Sequence, residues 1–544
     1  MRQLLLCGFL LISSASVGSQ VYAKNVLLII GGGPDPTSNQ WSLQRNVEFA
    51  CRTVSSTEAA AEPWEIQIYF ADGPAKACDV QRKVADRPEN KAAWWLALLA
   101  NGSSHPVMEY VNHSFPQGSQ AASKDNLQRG FKKLADSLGK DDRLFVYVTA
   151  HGGPAETGEY YGGAPSDDVN RFNTTLALWG NDTVDAAEFS QWLDHFEPEV
   201  EITLVMTQCY SGGFASVLFH NADRKQGLNN RPRCGFFSQR HDRVAAGCTP
   251  EIDESAYEEY SSSFWAAIGG LDRLGQPAKP VDYDGDRRIS FEEAHAYTVI
   301  NSQTLDIPLR SSDVILRRYS KIGAPLEEQA ESDEPPSGGF FGRLFGGDEP
   351  AAQTEVRDLP KLRMTTGSSL EELASAGRLP QRAILESLAK ELEVEISATL
   401  KEVRDRRGEV KRGVDRVRQR QARVYSRLTD SIDQLEKVVH ERWPQLGEAA
   451  VTYALFELGS ERADELVRFI DSKPAANAIE KRIEELKSLE GQVSTEEVKE
   501  ARWQRLVHIA EVIALQTNLP DHAPQDAIEQ YQRVLALEQR GLSP

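Results

Sequence analysis

Four apolar, largely β-branched runs set the fold class of this chain. They are VLLIIGGG at 26–33, EIQIYFA at 65–71, RLFVYVTAHGG at 143–153 and VEITLVMTQCYSGG at 200–213. Polar residues do not alternate regularly through them, so each expected strand is covered on both faces. Helical patterns lie between, such as SKDNLQRGFKKLADSLGK at 123–140, which Ser123 can cap and Gly139 can end. Strands that alternate with helices specify an α/β domain, a mostly parallel sheet sandwiched by helices, over residues 24–325. In such sheets the reactive crevice lies at the carboxyl ends of the strands.

At 544 residues the chain is too long for one ordinary domain, and its second half reads differently. Pro, Gly, Ser and acidic residues dominate 326–360, a linker pattern with an apolar centre at Phe340–Phe345. From 361 to 544 the pattern is helical. Val410, Val414, Val417, Val424, Leu428 and Ile432 recur at threes, fours and sevens among charged residues, and Pro444 interrupts the run. This predicts an all-α coiled-coil or helical-bundle domain, with further helices near 446–471, 477–518 and 524–540. Its basic stretch, Arg404 to Arg427, reads as a solvated face, with contact to the acidic α/β half as the alternative.

Residues 1–23 read as a secretory signal peptide. Arg2 precedes an apolar run, Leu4 to Ile12, too short to span a bilayer, and small residues Val21 and Ala23 precede the expected cleavage. The mature protein is therefore expected to be secreted or periplasmic, with no membrane span. Cleavage removes Cys7 from the six cysteines, leaving Cys51, Cys78, Cys209, Cys234 and Cys248 where disulfides can form. Pairs 51–78 and 234–248 would leave Cys209 over, though other pairings are open. With 61 Lys and Arg against 81 Asp and Glu, the net charge of −20 argues against non-specific nucleic-acid binding.

Two runs end in residues that carry chemistry. His151-Gly152-Gly153 follows one, and Cys209-Tyr210-Ser211-Gly212-Gly213 follows another. Adjacent parallel strands would bring the imidazole and the thiol together. A thiol attacks as thiolate, and a neighbouring imidazole can take its proton and return one to a leaving amine. Backbone N–H groups beside the glycines could hold an oxyanion. A second motif spans 282–293. Asp282, Asp284 and Asp286 at loop positions 1, 3 and 5, the backbone carbonyl of Arg288 at 7 and Glu293 at 12 match an EF-hand calcium loop. Arg287 stands where that loop normally has glycine. The other reading is an acidic turn capping the next helix. Calcium there would brace the fold and take no part in catalysis.

These blocks resemble the caspase-like cysteine peptidases, most of all the legumain family of asparaginyl endopeptidases. The likeness covers 24–325 and rests on FVYVTAHGG, TLVMTQCYSGG and the segment Ser38-Asn39-Gln40-Trp41-Ser42-Leu43-Gln44-Arg45. It implies Cys209 as nucleophile, His151 as general acid/base, and Gly152 and Cys209 N–H groups as the oxyanion hole. It further implies Arg45 as a lining residue of a pocket for Asp, Glu or Asn. Leu43 stands where legumains carry a catalytic Asn, and Gln208 replaces the small residue before the nucleophile. Ser238, Arg240 and Asp242, between Cys234 and Cys248, are further candidates for substrate contact. The expected function is a secreted or periplasmic cysteine endopeptidase acting on a protein or peptide substrate, with no cofactor for catalysis and structural calcium. The alternative is an inactive caspase-like scaffold. The C-terminal helices would self-associate, bind a partner or hold the enzyme latent.

Overall fold

The computed structural model describes residues 23–56, 63–86, 90–101, 106–156, 170–323, 362–444 and 460–542. The expected signal segment up to residue 22, the 326–360 linker with its Phe340–Phe345 centre, and 446–459 lie outside them.

In chain order the strands are β1 (Asn25–Gly32), β2 (Trp64–Phe70), β3 (Val80–Ala85), β4 (Val107–Val111), β5 (Arg143–Ala150), β6 (Gly152–Gly153), β7 (Thr175–Leu178), β8 (Asp182–Asp185), β9 (Glu201–Met206), β10 (Arg233–Phe237) and β11 (Leu309–Arg310). The main sheet has the order β11-β10-β9-β5-β1-β2 and is parallel except for the edge strand β11. The four apolar runs supply four of its six strands, β1, β2, β5 and β9. Every residue of β1 is buried, as its unbroken apolar pattern requires. From β1 the chain moves outward to β2. From β5 it moves the opposite way, through β9 and β10. The order therefore reverses between β1 and β5, where the ends of such a sheet leave a crevice.

The helices of this part are α1 (Trp41–Ser56), α2 (Lys91–Asn101), α3 (Lys124–Ala135), α4 (Ala186–Asp194), α5 (Tyr260–Gly269), α6 (Phe291–Asn301) and α7 (Ser311–Tyr319). Phe145 and Tyr147 of β5 meet Trp265 of α5, and Phe145 also meets Phe291 of α6. The intervening Leu144, Val146 and Val148 point to the opposite face and are buried too, so both faces are covered.

The C-terminal helices are α8 (Leu370–Ala376), α9 (Leu379–Glu391), α10 (Leu400–Arg442), α11 (Ser460–Asp471), α12 (Pro474–His522) and α13 (Gln525–Glu538). Helices α10 and α12 form an antiparallel hairpin, roughly 65 Å long at about 1.5 Å per residue. Its register shows in the ion pairs Arg404–Glu511, Arg407–Glu500 and Arg418–Glu497. Most of the basic stretch is exposed, as expected of a solvated face, while Arg404, Arg407, Arg418 and Arg420 pair with acids of α12. At the distal end Val424, Leu428 and Leu435 of α10 pack with Leu489 of α12 and with Trp94, Trp95 and Leu98 of α2.

The proximal end is built into the α/β half. Val512, Leu515 and Leu519 of α12, and Tyr531, Val534 and Leu537 of α13, belong to the same core cluster as the central sheet. The last residues are stitched beneath it. The Leu542 carbonyl accepts from Trp64 Nε1 at 3.2 Å and Arg143 Nη1 at 3.3 Å, and the Arg540 carbonyl from Phe291 N at 2.7 Å. The helical half is therefore two things: a projecting hairpin and a segment that completes the α/β core. No described helix is long and apolar enough to cross a membrane.

Candidate functional site

Register alone places the two reactive side chains. Strands β5 and β9 pair in parallel with Val148 opposite Met206, so His151 and Cys209 each lie three residues past the same rung. Neighbouring strands run about 4.8 Å apart. Contact is direct at the backbone: a Cβ on Gly152 would fall 2.2 Å from the Cys209 carbonyl oxygen, so only glycine fits there.

The imidazole is held by the loop after β1. His151 Nε2 lies 2.8 Å from the Ser38 carbonyl oxygen and 2.8 Å from Gln40 Oε1. Both are acceptors, so Nε2 carries the proton and Nδ1 keeps the basic lone pair. The loop can bring Ser38 so close because residue 33 is glycine, where a Cβ would sit 2.0 Å from the Ser38 oxygen. Asn39 plays a bracing part: its Oδ1 accepts from Gly33 N and its Nδ2 donates to the Asp79 carbonyl. Leu43 is buried in the core on α1. The Ser38 carbonyl and Gln40 therefore orient the histidine where the resemblance implied an asparagine. A backbone oxygen leaves no trace in sequence, and Gln40 reads there as an ordinary loop residue.

Cys209 is followed at once by a turn: Tyr210 has φ 59, and the chain enters a buried tight helical segment, Ser211–Leu218. The loop between β10 and α5 meets the sulfur. Ala245 N donates to Cys209 Sγ at 3.2 Å, Arg243 O accepts from Tyr210 N at 2.9 Å, and Gln239 O accepts from Gly212 N at 2.8 Å. The next residue, Ala246, donates to Asp306 Oδ1 at 2.7 Å. The fully buried Arg505 of α12 in turn fixes the turn carrying Asp306, donating to the Asp306, Ser302 and Thr304 carbonyls at 2.7–2.8 Å.

Burial pushes the Cys209 thiol up and the His151 imidazole down, the latter against the Ser38 hydrogen bond. The resting pair is a neutral thiol and a neutral imidazole. The Cys209 N–H makes no backbone hydrogen bond among the described residues. Ala177 N donates to the His151 carbonyl, so by the alternation of an antiparallel ladder the Gly152 N–H faces away from β7. Gln208 is fully buried, and neither its Oε1 nor its Nε2 has a partner among the described residues.

Other expected residues are placed differently. Arg45 is paired with Glu48 and with Glu254, the latter through Nε at 2.8 Å, so its charge is already matched within this chain. Ser238 is buried at the end of β10, its Oγ 3.4 Å from Ser211 Oγ, so it supports the Cys209 loop and offers no surface to a substrate. Arg240 and Asp242 pair with each other at 2.8 Å. All five described cysteines are free thiols. Cys51 faces the core on α1, and Cys234 lies on β10 beside Thr203, six residues before Cys209 in register. The pairings 51–78 and 234–248 are not formed.

In the acidic loop, ligand oxygens of Asp282, Asp284 and Glu293 lie within 4.8 Å of one another, while the Asp286 carboxylate is not in that set. Arg287 has φ 68, the left-handed turn that glycine usually supplies. Glu293 also caps α6, accepting from Tyr283 N at 2.7 Å and Ser290 N at 3.0 Å.

No protein-family model and no curated protein sequence matches the chain. Among solved structures, protein GSU0716 from Geobacter sulfurreducens is 11% identical, with a TM-score of 0.30, over 53% of this chain and 92% of its own. A likeness at that level carries no argument about fold or function.

Proposed function

We propose that the protein is a cysteine endopeptidase of caspase-like fold, secreted or periplasmic, with His151 and Cys209 as its dyad. The observation that carries this reading is their level placement on adjacent strands, with the imidazole proton tied to Ser38 and Gln40 so that Nδ1 is left to accept. When a peptide carbonyl enters, Cys209 Sγ bonds to its carbon and the thiol proton passes to His151 Nδ1. The N–H groups of Gly152 and Cys209 stabilise the oxyanion. The C–N bond breaks as His151 gives the proton to the leaving amine, and water then hydrolyses the thioester. A neutral resting pair suits this sequence, since proton transfer accompanies attack.

Because Arg45 is matched by acids of this chain, it lends no support to cleavage after Asp or Asn. Asp282, Asp284 and Glu293 would hold a structural calcium ion, which is oxygen chemistry suited to that hard cation. The test is labelling by Asp-, Asn- and Arg-directed acylating peptide probes, with and without calcium, in parent, Cys209→Ala and His151→Ala proteins. Labelling that requires Cys209 and is slowed by His151→Ala is expected. Absence of Cys209-dependent labelling under every condition would favour the scaffold reading, with the long hairpin as its binding element.

A further inference from the structure

A cavity of about 560 Å³ lies where the α/β half meets the helical hairpin, one loop away from Cys209. Its walls come from both. Gly212 and His241 belong to the loops around the reactive cysteine, Leu309 to β11, Arg407 to α10, and Gln504 and His508 to α12. The protein as a whole carries a net charge of −20, yet this cavity is lined by Arg171, Arg224, Lys225, Arg240, Arg317 and Arg407.

The acids present are already engaged. Asp313 is held by Arg310 at 2.9 Å and His508 at 3.1 Å, and Glu511 by Arg404 at 2.6 Å and Arg317 at 3.0 Å. Arg407 is paired with Glu500 on α12. Arg171, Arg224 and Lys225 have no carboxylate partner among the described residues. Arg224 is half-buried. Its guanidinium lies 3.5 Å from the Phe172 ring centre, with Arg171 over the same ring at 5.2 Å. Its Nε donates to Ser216 Oγ at 3.0 Å and its Nη2 approaches the Gly212 carbonyl at 3.4 Å. Burial, with Arg171 and Arg317 nearby, pushes Arg224 down to about 9. His241 is held down to about 4, by burial first and then by Arg224, Arg240 and Arg171, against the pull of Asp242.

We propose that this cavity binds a small, multiply charged anion bearing phosphate or carboxylate groups. Planar guanidinium forks pair two oxygens at once, and a half-buried cation crowded by others gains most from such a counter-ion. Arg240 and Arg317 each keep 43% of their side-chain surface exposed, so the ligand has a way in. Gly212 follows Cys209 by three residues and touches Arg224, so occupancy would also be felt by the Cys209 loop. The proposal stands whether or not Cys209 is a nucleophile.

The test is calorimetric titration of the whole chain with pyrophosphate and, separately, with citrate. Saturable binding is expected, weakened at least about tenfold by Arg224→Gln or Arg171→Gln and unchanged by Arg382→Gln on α9, where Arg382 pairs with Glu386. Preference for pyrophosphate would assign the ligand to phosphate esters, and preference for citrate to polycarboxylates. Thermal unfolding of the parent supplies a measure free of any variant's folding: the favoured anion must raise the midpoint beyond sodium chloride of equal ionic strength. Failure of both anions at millimolar concentration, or binding that both variants leave intact, would overturn the proposal.

Discussion

Asp306 stands at the joint between the Cys209 loop and the C-terminal helices. Its Oδ1 holds Ala246 N, and burial pushes it up to about 7. An ordinary aspartate titrates near about 4, so between about pH 4 and 7 the folded protein keeps a proton that the unfolded chain releases. Asp306's own contribution to stability therefore falls as pH rises through that window and levels off above it, while His151, His241 and His295, held by burial below the ordinary imidazole value, contribute the opposite trend. Asp306→Asn keeps an acceptor for Ala246 N and removes the charge. Measured against the parent, the variant's melting temperature should rise progressively from about pH 4 to 7 and stay higher above it. Glu538, also buried and pushed up to about 7, shares the behaviour, so the slope is reduced and not abolished. Scans across this range check it. A variant that melts below the parent at neutral pH would show that the carboxylate is needed charged.

The acidic loop and α6 form an element in which two readings of one sequence are realised together. Ser290 and Glu293 make a reciprocal cap on α6, and the same Glu293 turns toward Asp282 and Asp284. Three converging carboxylates repel one another, so a divalent cation should stabilise the folded state by mass action. Calcium is expected to raise the melting temperature over that in chelator. Glu293→Gln should remove the calcium increment and, since Gln can also complete the capping box while one repelling charge is gone, leave the melting temperature without calcium at or above that of the parent. Equal melting temperatures with and without calcium would count against a site. Elements of this kind were legible because their signals are local: carboxylate spacing, a capping serine, an unbroken apolar run. β10 and β11 were not read, since five residues and two residues carry little pattern of their own. The orienting role of Gln40 was equally hidden, because it depends on a loop from one strand reaching the end of another.

At the scale of the whole molecule, the helical patterns at 477–518 and 524–540 announce helices, but not what they pack against. They close the α/β core. A chain of residues 24–325 would strip away Val512, Leu515, Leu519, Tyr531, Val534 and Leu537 together with Arg505 and Glu538. Fully burying one large apolar side chain is worth roughly 1.5–3 kcal/mol, and a whole domain is stable by only about 5–15 kcal/mol. The truncated chain should therefore fail to unfold cooperatively or should aggregate. A cut within 326–360 breaks no described contact, so the two pieces should stay associated. This constrains any latency mechanism. Activation by linker cleavage would have to act by local rearrangement near Arg505 and Asp306, since the helices cannot leave without opening the core. The measurement is an engineered protease site in 326–360, with size-exclusion chromatography and thermal unfolding before and after cleavage. Co-elution with a nearly unchanged melting temperature is expected. A monodisperse 24–325 fragment that unfolds cooperatively would show that the α/β half closes its core without them.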